Sequence, residues 1–532
     1  MICTYRIRKV KCDEAKPYCN RCLKFGVDCD GYVLPGYKSS RRLVYPRVLQ
    51  QIKPRLVLVA QDKVQIPLYR QPGSQRFESE SEARYFNCFH DGVSRLLGFC
   101  WDAKMWPGSF LRESESSWPI RKGVIALGAL DLTSKVGLSQ IRDGVKKENI
   151  TENYIFALQQ YNRFMKGMHQ VLNAGDLRTK LLASIIVICF ESYLGGAEAV
   201  SSQIRIGVRL IEQWKHKHAR PGIHPLLSPA PNVIEDELII LFERLNITNR
   251  KESQGDALSE QEYLMGKEII ANMPKEFSSI SEARMYETLL HIRTTQFLAA
   301  HDDKSSDALL IWDRIAGKLS LSTVLELKEL KNDFDRWAQA FDPLFKDALT
   351  PGKSEFRAAA IQRAHYLVEV IVFEQGLHVD EVCFDYFHNE FVEMVGLAKA
   401  LLVSEESNFT LSTHSVVVLD LVATKCRDPE LRREAIRLLI DRPRREGFFD
   451  SVMVATICQW VVDIEEEGMV NGFIPEEARV RKIGAKFDLE KKNMELWCYQ
   501  PREMGNLVDL KRRETKIKWL SPCKTIACYA TY

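Results

Sequence analysis

The sequence predicts a mostly all-α protein, in which a small cysteine-rich module precedes a large helical body. Three observations carry that expectation. From about residue 80 onward, apolar residues recur at helical spacing over long segments. Convincing runs of alternating polar and apolar residues, the mark of half-buried strands, are lacking. At 532 residues the chain is too long for one ordinary domain and long enough to bury a sizeable helical core.

The module comes first in the chain. Five of the fourteen cysteines fall within the first 29 residues, and four of them, Cys12, Cys19, Cys22 and Cys29, stand as C-x6-C-x2-C-x6-C. Thiolates grouped this way in a reducing compartment are most often zinc ligands, because the metal neutralises them and holds them in a tetrahedron. Cations surround them: Arg6, Arg8, Lys9, Lys11, Lys16, Arg21 and Lys24. Residues 1–60 carry thirteen Lys and Arg against four Asp and Glu, whereas the whole chain has a formal charge of only +3. A basic head on a mildly acidic body suits nucleic acid binding confined to the N-terminus.

The spacing has a second content. Read backward from Cys12, the C-x2-C-x6-C pattern of Cys19–Cys29 would place thiolates at positions 2 and 5, which hold Ile2 and Tyr5, with Cys3 one residue out of register. Residues 1–32 therefore look like a twofold repeat with one half damaged. The segment resembles the six-cysteine binuclear zinc cluster of fungal transcription regulators, on the strength of RIRKVK before Cys12 and Asp13, of Pro17 two residues before Cys19, and of NRCLKFGVDCDGY. That resemblance implies two short helix-loop halves sharing zinc ions, with the first and fourth cysteines bridging. It also implies a first helix that enters the major groove of double-stranded DNA and reads a CGG triplet. The matching readers are Arg8, Lys9 and Lys11, with Lys9 foremost, while Arg6, Lys16 and Lys24 fall where phosphate contacts are expected.

The first two cysteines of the family pattern are missing. What remains can hold one metal through Cys12, Cys19, Cys22 and Cys29, or through the last three with Cys3 recruited. A naturally degenerate cluster and a misassigned first exon both fit, and both stay open at this point.

Residues 33–80 read as a basic linker, since Pro35, Pro46, Pro54, Pro67 and Pro72 interrupt any useful helix. No sustained apolar heptad follows the cluster, so a homodimer, if formed, is expected through the large domain. Lys38, Arg41 and Arg42 extend the cationic zone and suit phosphate contacts or nuclear import as readily as a solvated linker.

Residues 81–485 read as the helical body. Serines and glutamates open FESESEARYFNCFHDGVSRLLGF, and IRKGVIALGALDLTS supplies small residues for close helix packing. LLASIIVICF at 181–190 is the longest apolar run, well short of the roughly 20 residues that span a bilayer, and reads as a buried helix. The N-terminus is cationic where a secretory leader is apolar, so a soluble, reducing setting is expected. This body is similar to the α-helical regulatory domain that follows the zinc cluster in many fungal transcription factors. ALGALDL at 126–132 and Cys189-Phe190-Glu191 match its early segments. Arg427-Asp428-Pro429, Arg432-Arg433, Arg445-Glu446-Gly447 and Asp450-Ser451 match its late ones. Asp428-Pro429 is a helix start, with Asp as N-cap and Pro at the first helical position, and Glu446-Gly447 and Asp450 suit a break and the cap of the next helix. EEEG at 465–468 reads as a solvated helix end, and residues 486–532 as a tail without an assigned structure.

No catalytic constellation emerges. There is no G-x-x-x-x-G-K, no G-x-S-x-G and no H-E-x-x-H. His216 and His218 lie two apart, on different helix faces, and read as a solvated basic end. His301-Asp302-Asp303 reads as a solvated turn. The nine remaining cysteines contain no C-x2-C pair and read as small core residues. The chain is thus expected to be no enzyme. It reads as a nuclear, zinc-dependent regulator of RNA polymerase II genes that binds CGG-type DNA, with a small-molecule effector of the body as a further candidate partner. The alternative is a partner-binding or sensor protein whose DNA reader has decayed.

Overall fold

The computed structural model describes residues 76–518, interrupted at 94–104, 144–147, 219–223, 253–259, 302–319, 404–408, 489–492 and 504–505 and at positions 175, 195, 225, 351, 379, 412 and 448. The described part is mostly α-helical, as expected. Its first helix, α1 (Glu80–Cys88), starts where Ser79 Oγ accepts from the Glu82 N–H at 3.2 Å, with Glu80 and Glu82 in the first turn. A π-helical turn, Phe89–Val93, follows directly.

Next come α2 (Met105–Ser116), α3 (Trp118–Asp143), α4 (Glu148–Ala174), α5 (Leu177–Leu194) and α6 (Ala197–Lys217). The apolar run of α5 is buried from Leu181 to Phe190, so it is the core helix expected from the sequence. Among the described residues, no helix is long and apolar enough to cross a membrane. The small residues of ALGALDL let α3 approach its neighbours. A Cβ on Gly128 would sit 2.0 Å from the Tyr85 carbonyl oxygen of α1, which only a glycine hydrogen can tolerate. Asp131 of the same segment accepts from the Tyr193 hydroxyl at 3.1 Å, tying α3 to α5. Glu191 accepts from Tyr161, whose ring stacks on Phe190 at 3.8 Å.

The middle of the body comprises α7 (Asp236–Glu252), α8 (Glu260–Ala271), α9 (Ile280–His301), α10 (Leu321–Ala348) and α11 (Phe356–Leu377). Trp337 of α10 is fully buried, and its indole N–H donates to the Ala283 carbonyl of α9 at 2.7 Å. Arg293 of α9 pairs with Asp333 of α10 at 2.6 Å, also buried.

After a 3-10 turn (Val382–Phe387) and α12 (His388–Val403), a small sheet organises the chain. Strand β1 (Phe409–Thr410) runs parallel to β2 (Arg445–Glu446), which pairs antiparallel with β3 (Phe449–Asp450). Between β1 and β2 lie α13 (Ser415–Lys425) and α14 (Pro429–Asp441), and α15 (Ser451–Glu466) leaves β3. Gly447 turns with φ +54° while its N–H donates to the Thr410 carbonyl at 2.8 Å.

The late signatures are helix starts, as read. Asp428 accepts from the N–H groups of Glu430 and Leu431 at 2.9 and 3.0 Å, with Pro429 opening α14. Asp450 accepts from those of Val452 and Met453 at 3.1 and 3.0 Å to open α15. Asp428→Ala is expected to lower the stability of the body by about 1 kcal/mol, the ordinary worth of an N-cap carboxylate. The check is a lower urea midpoint with an unchanged slope.

A second sheet spans the expected boundary at residue 485, beginning in the segment read as helical body and continuing into the tail left without an assigned structure. Strands β4 (Lys482–Asp488), β5 (Asn493–Glu503) and β6 (Asn506–Lys518) are antiparallel in sequential order. Met494, Leu496 and Cys498 of β5 share one face, which packs with Ile457, Val461 and Ile464 of α15. M-E-L-W-C-Y-Q at 494–500 places apolar residues on both faces and so shows no clean alternation in the sequence.

Candidate functional site

All the site residues expected from the sequence lie outside the described residues: Cys3, Cys12, Cys19, Cys22 and Cys29, and Arg6, Arg8, Lys9, Lys11, Lys16 and Lys24. The described body contributes a different kind of site, built from buried charge.

Its late signatures converge on one network. Glu465, near the end of α15, is fully buried and takes Arg427 at 2.8 Å and Arg432 at 2.8 Å, and it accepts from the Val480 N–H at 2.7 Å. Arg427 also reaches Glu381 at 3.2 Å, which Lys425 meets at 3.0 Å. Arg432 donates through Nε to the Ala423 carbonyl at 2.9 Å. Burial by itself raises the Glu465 carboxyl, but Arg427 and Arg432 outweigh it and hold it below the ordinary value of 4.5. The EEEG segment is therefore only partly a solvated end: Glu467 is exposed, whereas Glu465 is interior because two arginines from α13–α14 need it there.

Glu446 of β2 forms a companion site. Its carboxylate accepts from the N–H groups of His414 at 2.8 Å and Val416 at 3.0 Å, anchoring the start of α13, with Arg444 Nε at 2.9 Å. Neighbouring Arg445 donates to the Ser192 carbonyl at 2.9 Å, so the Arg445-Glu446-Gly447 signature bonds back to α5.

A third cluster joins α9 and α11. Glu287 and His291 lie four apart on α9, and His365 and Glu369 lie four apart on α11. His365 Nδ1 lies 3.0 Å from Glu287 Oε1, and Arg244 of α7 donates to Glu287 Oε2 at 3.1 Å. His291 Nε2 stands 3.9 Å from Glu369 Oε1. Burial raises the Glu287 carboxyl, but Arg244 and His365 outweigh it and hold it well below the ordinary range. Each i,i+4 pair looks in the sequence like an ordinary helix pair, which is why the cluster was not anticipated.

The described thiols behave as core residues. Burial pushes Cys383, Cys426 and Cys498 up to about 12, and Cys189 and Cys458 are raised as well. His218 Nδ1 donates to the Trp214 carbonyl at 2.9 Å at the end of α6, in keeping with a helix-end role.

Comparison with known proteins decides the family. The fungal Zn(2)-Cys(6) binuclear cluster domain matches residues 3–36. Transcription regulator lscL of Purpureocillium lilacinum is 54% identical over 398 residues, covering 70% of this chain and 86% of that protein. The chain belongs to the fungal Zn(2)-Cys(6) transcription regulators. A more distant relative is the aspercryptin biosynthesis cluster-specific transcription regulator atnN of Emericella nidulans, 27% identical over 234 residues, or 42% of this chain and 36% of that protein. No solved structure matches.

As a Zn(2)-Cys(6) transcription regulator, this protein has zinc as its cofactor. The donor chemistry fits: five thiols lie within residues 1–29, among cations that favour the thiolate form. Six thiolates, two of them bridging, would complete two tetrahedra, and positions 2 and 5 lack theirs.

Proposed function

We propose that this transcription regulator is a nuclear protein that binds DNA sequence-specifically through residues 1–32 and recognises CGG-type triplets in the promoters of RNA polymerase II genes. The observation that carries the reading is RIRKVK placed directly before Cys12 in a segment matched by the cluster family. Arg8, Lys9 and Lys11 face base edges, with Lys9 donating to the O6 and N7 acceptors of guanine. Arg6, Lys16 and Lys24 hold phosphates and set register. Zinc is held by Cys12, Cys19, Cys22 and Cys29, with Cys3 available as a substitute ligand.

Residues 33–80 connect this reader to a regulatory body that begins at about residue 81 and, past the boundary expected at 485, takes in the β4–β6 sheet packed on α15. The body acts as a regulatory rather than a catalytic domain. Its thiols are raised by burial, and the buried carboxylates Glu465 and Glu446 are engaged by arginines and backbone N–H groups. A homodimer contact and a small-molecule effector belong on this body. A second reading, a partner-binding regulator with a decayed reader, is favoured by one observation, Ile2 and Tyr5 at thiolate positions.

The test compares two variants of the full chain by fluorescence anisotropy on CGG-containing and scrambled duplexes. Lys9→Ala is expected to lose about 1–3 kcal/mol of discrimination. Lys24→Ala is expected to weaken binding evenly across sequences and to reduce the salt slope by about one. Equal losses on both duplexes for both variants would contradict the assignment, and no discrimination by the unaltered chain would favour the decayed reader.

A further inference from the structure

We propose that the helical body holds a second metal site, distinct from the N-terminal cysteines, in which Glu287, His291 and His365 bind a zinc-class divalent ion and Glu369 closes the coordination. The sequence supplies two mirrored pairs, E-T-L-L-H at 287–291 and H-Y-L-V-E at 365–369. The four-residue spacing sets each pair on one face of its helix, and the packing of α9 on α11 brings the faces together. One ligand atom from each of Glu287, His291 and His365 lies within 4.8 Å of the others. A tetrahedral ion with bonds of roughly 2.0–2.1 Å spaces its ligands by roughly 3.3 Å, so small side-chain rotations close the set.

The hydrogen bonds of His365 point the same way. Its Nε2 lies 2.8 Å from the Thr413 carbonyl oxygen, which can only accept, so Nε2 carries a proton. Its other nitrogen, Nδ1, faces Glu287 Oε1 at 3.0 Å, where the ligand atoms of Glu287, His291 and His365 converge. A proton on Nδ1 or the neighbouring Arg244 guanidinium meets this contact in the metal-free protein, and a zinc ion would take the same place. Arg244 meets Glu287 Oε2 at 3.1 Å through one nitrogen and His365 Nδ1 at 3.4 Å through another, so its guanidinium competes with an ion for the same two ligands. A backbone carbonyl that fixes the far ring nitrogen is also the usual support of a metal-bound histidine.

The surroundings suit a structural ion. Glu287 is 1% exposed and Glu369 6%, and His291 and His365 are 12% and 14% exposed at their side chains. Phe334 lies beside His291 at 5.6 Å between ring centroids, which limits water access. Two imidazole donors favour zinc-class ions over calcium or magnesium. Bound there, the ion ties α9 to α11 and, through Thr413, to the segment that Glu446 anchors.

The experiment uses the full chain, equilibrated with Zn2+ and desalted, with metal counted by mass spectrometry and ligands read by X-ray absorption. His291→Ala/His365→Ala is expected to lose one zinc per chain and to lose the component at about 2.0–2.1 Å, while the sulfur component near about 2.3 Å stays. An unchanged count and an unchanged light-atom shell would overturn the site. Arg244→Gln covers the case in which the double variant does not fold, because it leaves all four ligands in place. It is expected to bind Zn2+ more tightly, by about tenfold, since a competing positive charge has gone. A cluster held only by ion pairing would instead show a less stable body and no gain in metal, and that result too would overturn the proposal.

Discussion

Glu465→Ala is expected to cost the helical body about 3–5 kcal/mol, a large share of the roughly 5–15 kcal/mol that keeps a domain folded. The carboxylate is 0% exposed and so is Arg432, with Arg427 beside them. Removing it leaves two guanidinium groups in the interior without their common counter-charge and strands the Val480 N–H. Substituting Glu467, which is exposed and pairs with Arg513 at the surface, should change little. Urea unfolding of the two variants side by side separates the interior network from a general loss of negative charge.

The buried carboxylates of the body set an acid limit. Glu287, Glu446 and Glu465 are all held below the ordinary carboxylate value of 4.5 in the folded state. Such groups bind protons more readily when unfolded, so the stability they supply is complete above that value and is lost as pH falls through their depressed folded values. The body should therefore unfold on acidification below about pH 4.5, and Glu465→Ala should remove part of that dependence.

Gly128→Ala is the second large effect, at about 3 kcal/mol or more. The added methyl would meet the Tyr85 carbonyl oxygen at 2.0 Å and the Phe89 nitrogen at 3.0 Å, and both are backbone atoms that cannot rotate away. Helices α1 and α3 would have to separate, exposing the packing of Tyr85, Phe86 and Phe89 against α3. Gly123→Ala is the natural control. Its Cβ would meet only side-chain carbons of Ile186 and Phe164, nearest at 2.8 Å, and these can shift at smaller cost. Thermal melts should rank Gly128→Ala well below Gly123→Ala.

What could be read from the residues divides along sequence distance. Asp428, Pro429 and Asp450 were legible because a cap is a contract between neighbours in the chain. The run at 181–190 was legible because its apolar length excludes both a surface helix and a membrane span. Glu465 was misjudged because its partners, Arg427 and Arg432, lie more than thirty residues away and nothing local marks the carboxylate as interior. The Glu287–His291 and His365–Glu369 pairs were passed over for the same reason, since their chemistry exists only once α9 and α11 meet. The strands at 482–518 were not legible, because Met494–Gln500 has no clean alternation and pairing partners are set by the whole sheet.

The cluster residues stand apart from this division. Their reading rests on spacing, charge and family membership, and it makes a direct demand on the purified protein. The decisive measurement is binding of the full chain to a CGG-containing duplex against a scrambled one at fixed salt, before and after zinc is stripped and restored. The account predicts at least about tenfold tighter binding to the CGG duplex, lost on chelation and recovered with Zn2+. Equal affinity for both duplexes, or discrimination that survives removal of zinc, would contradict it.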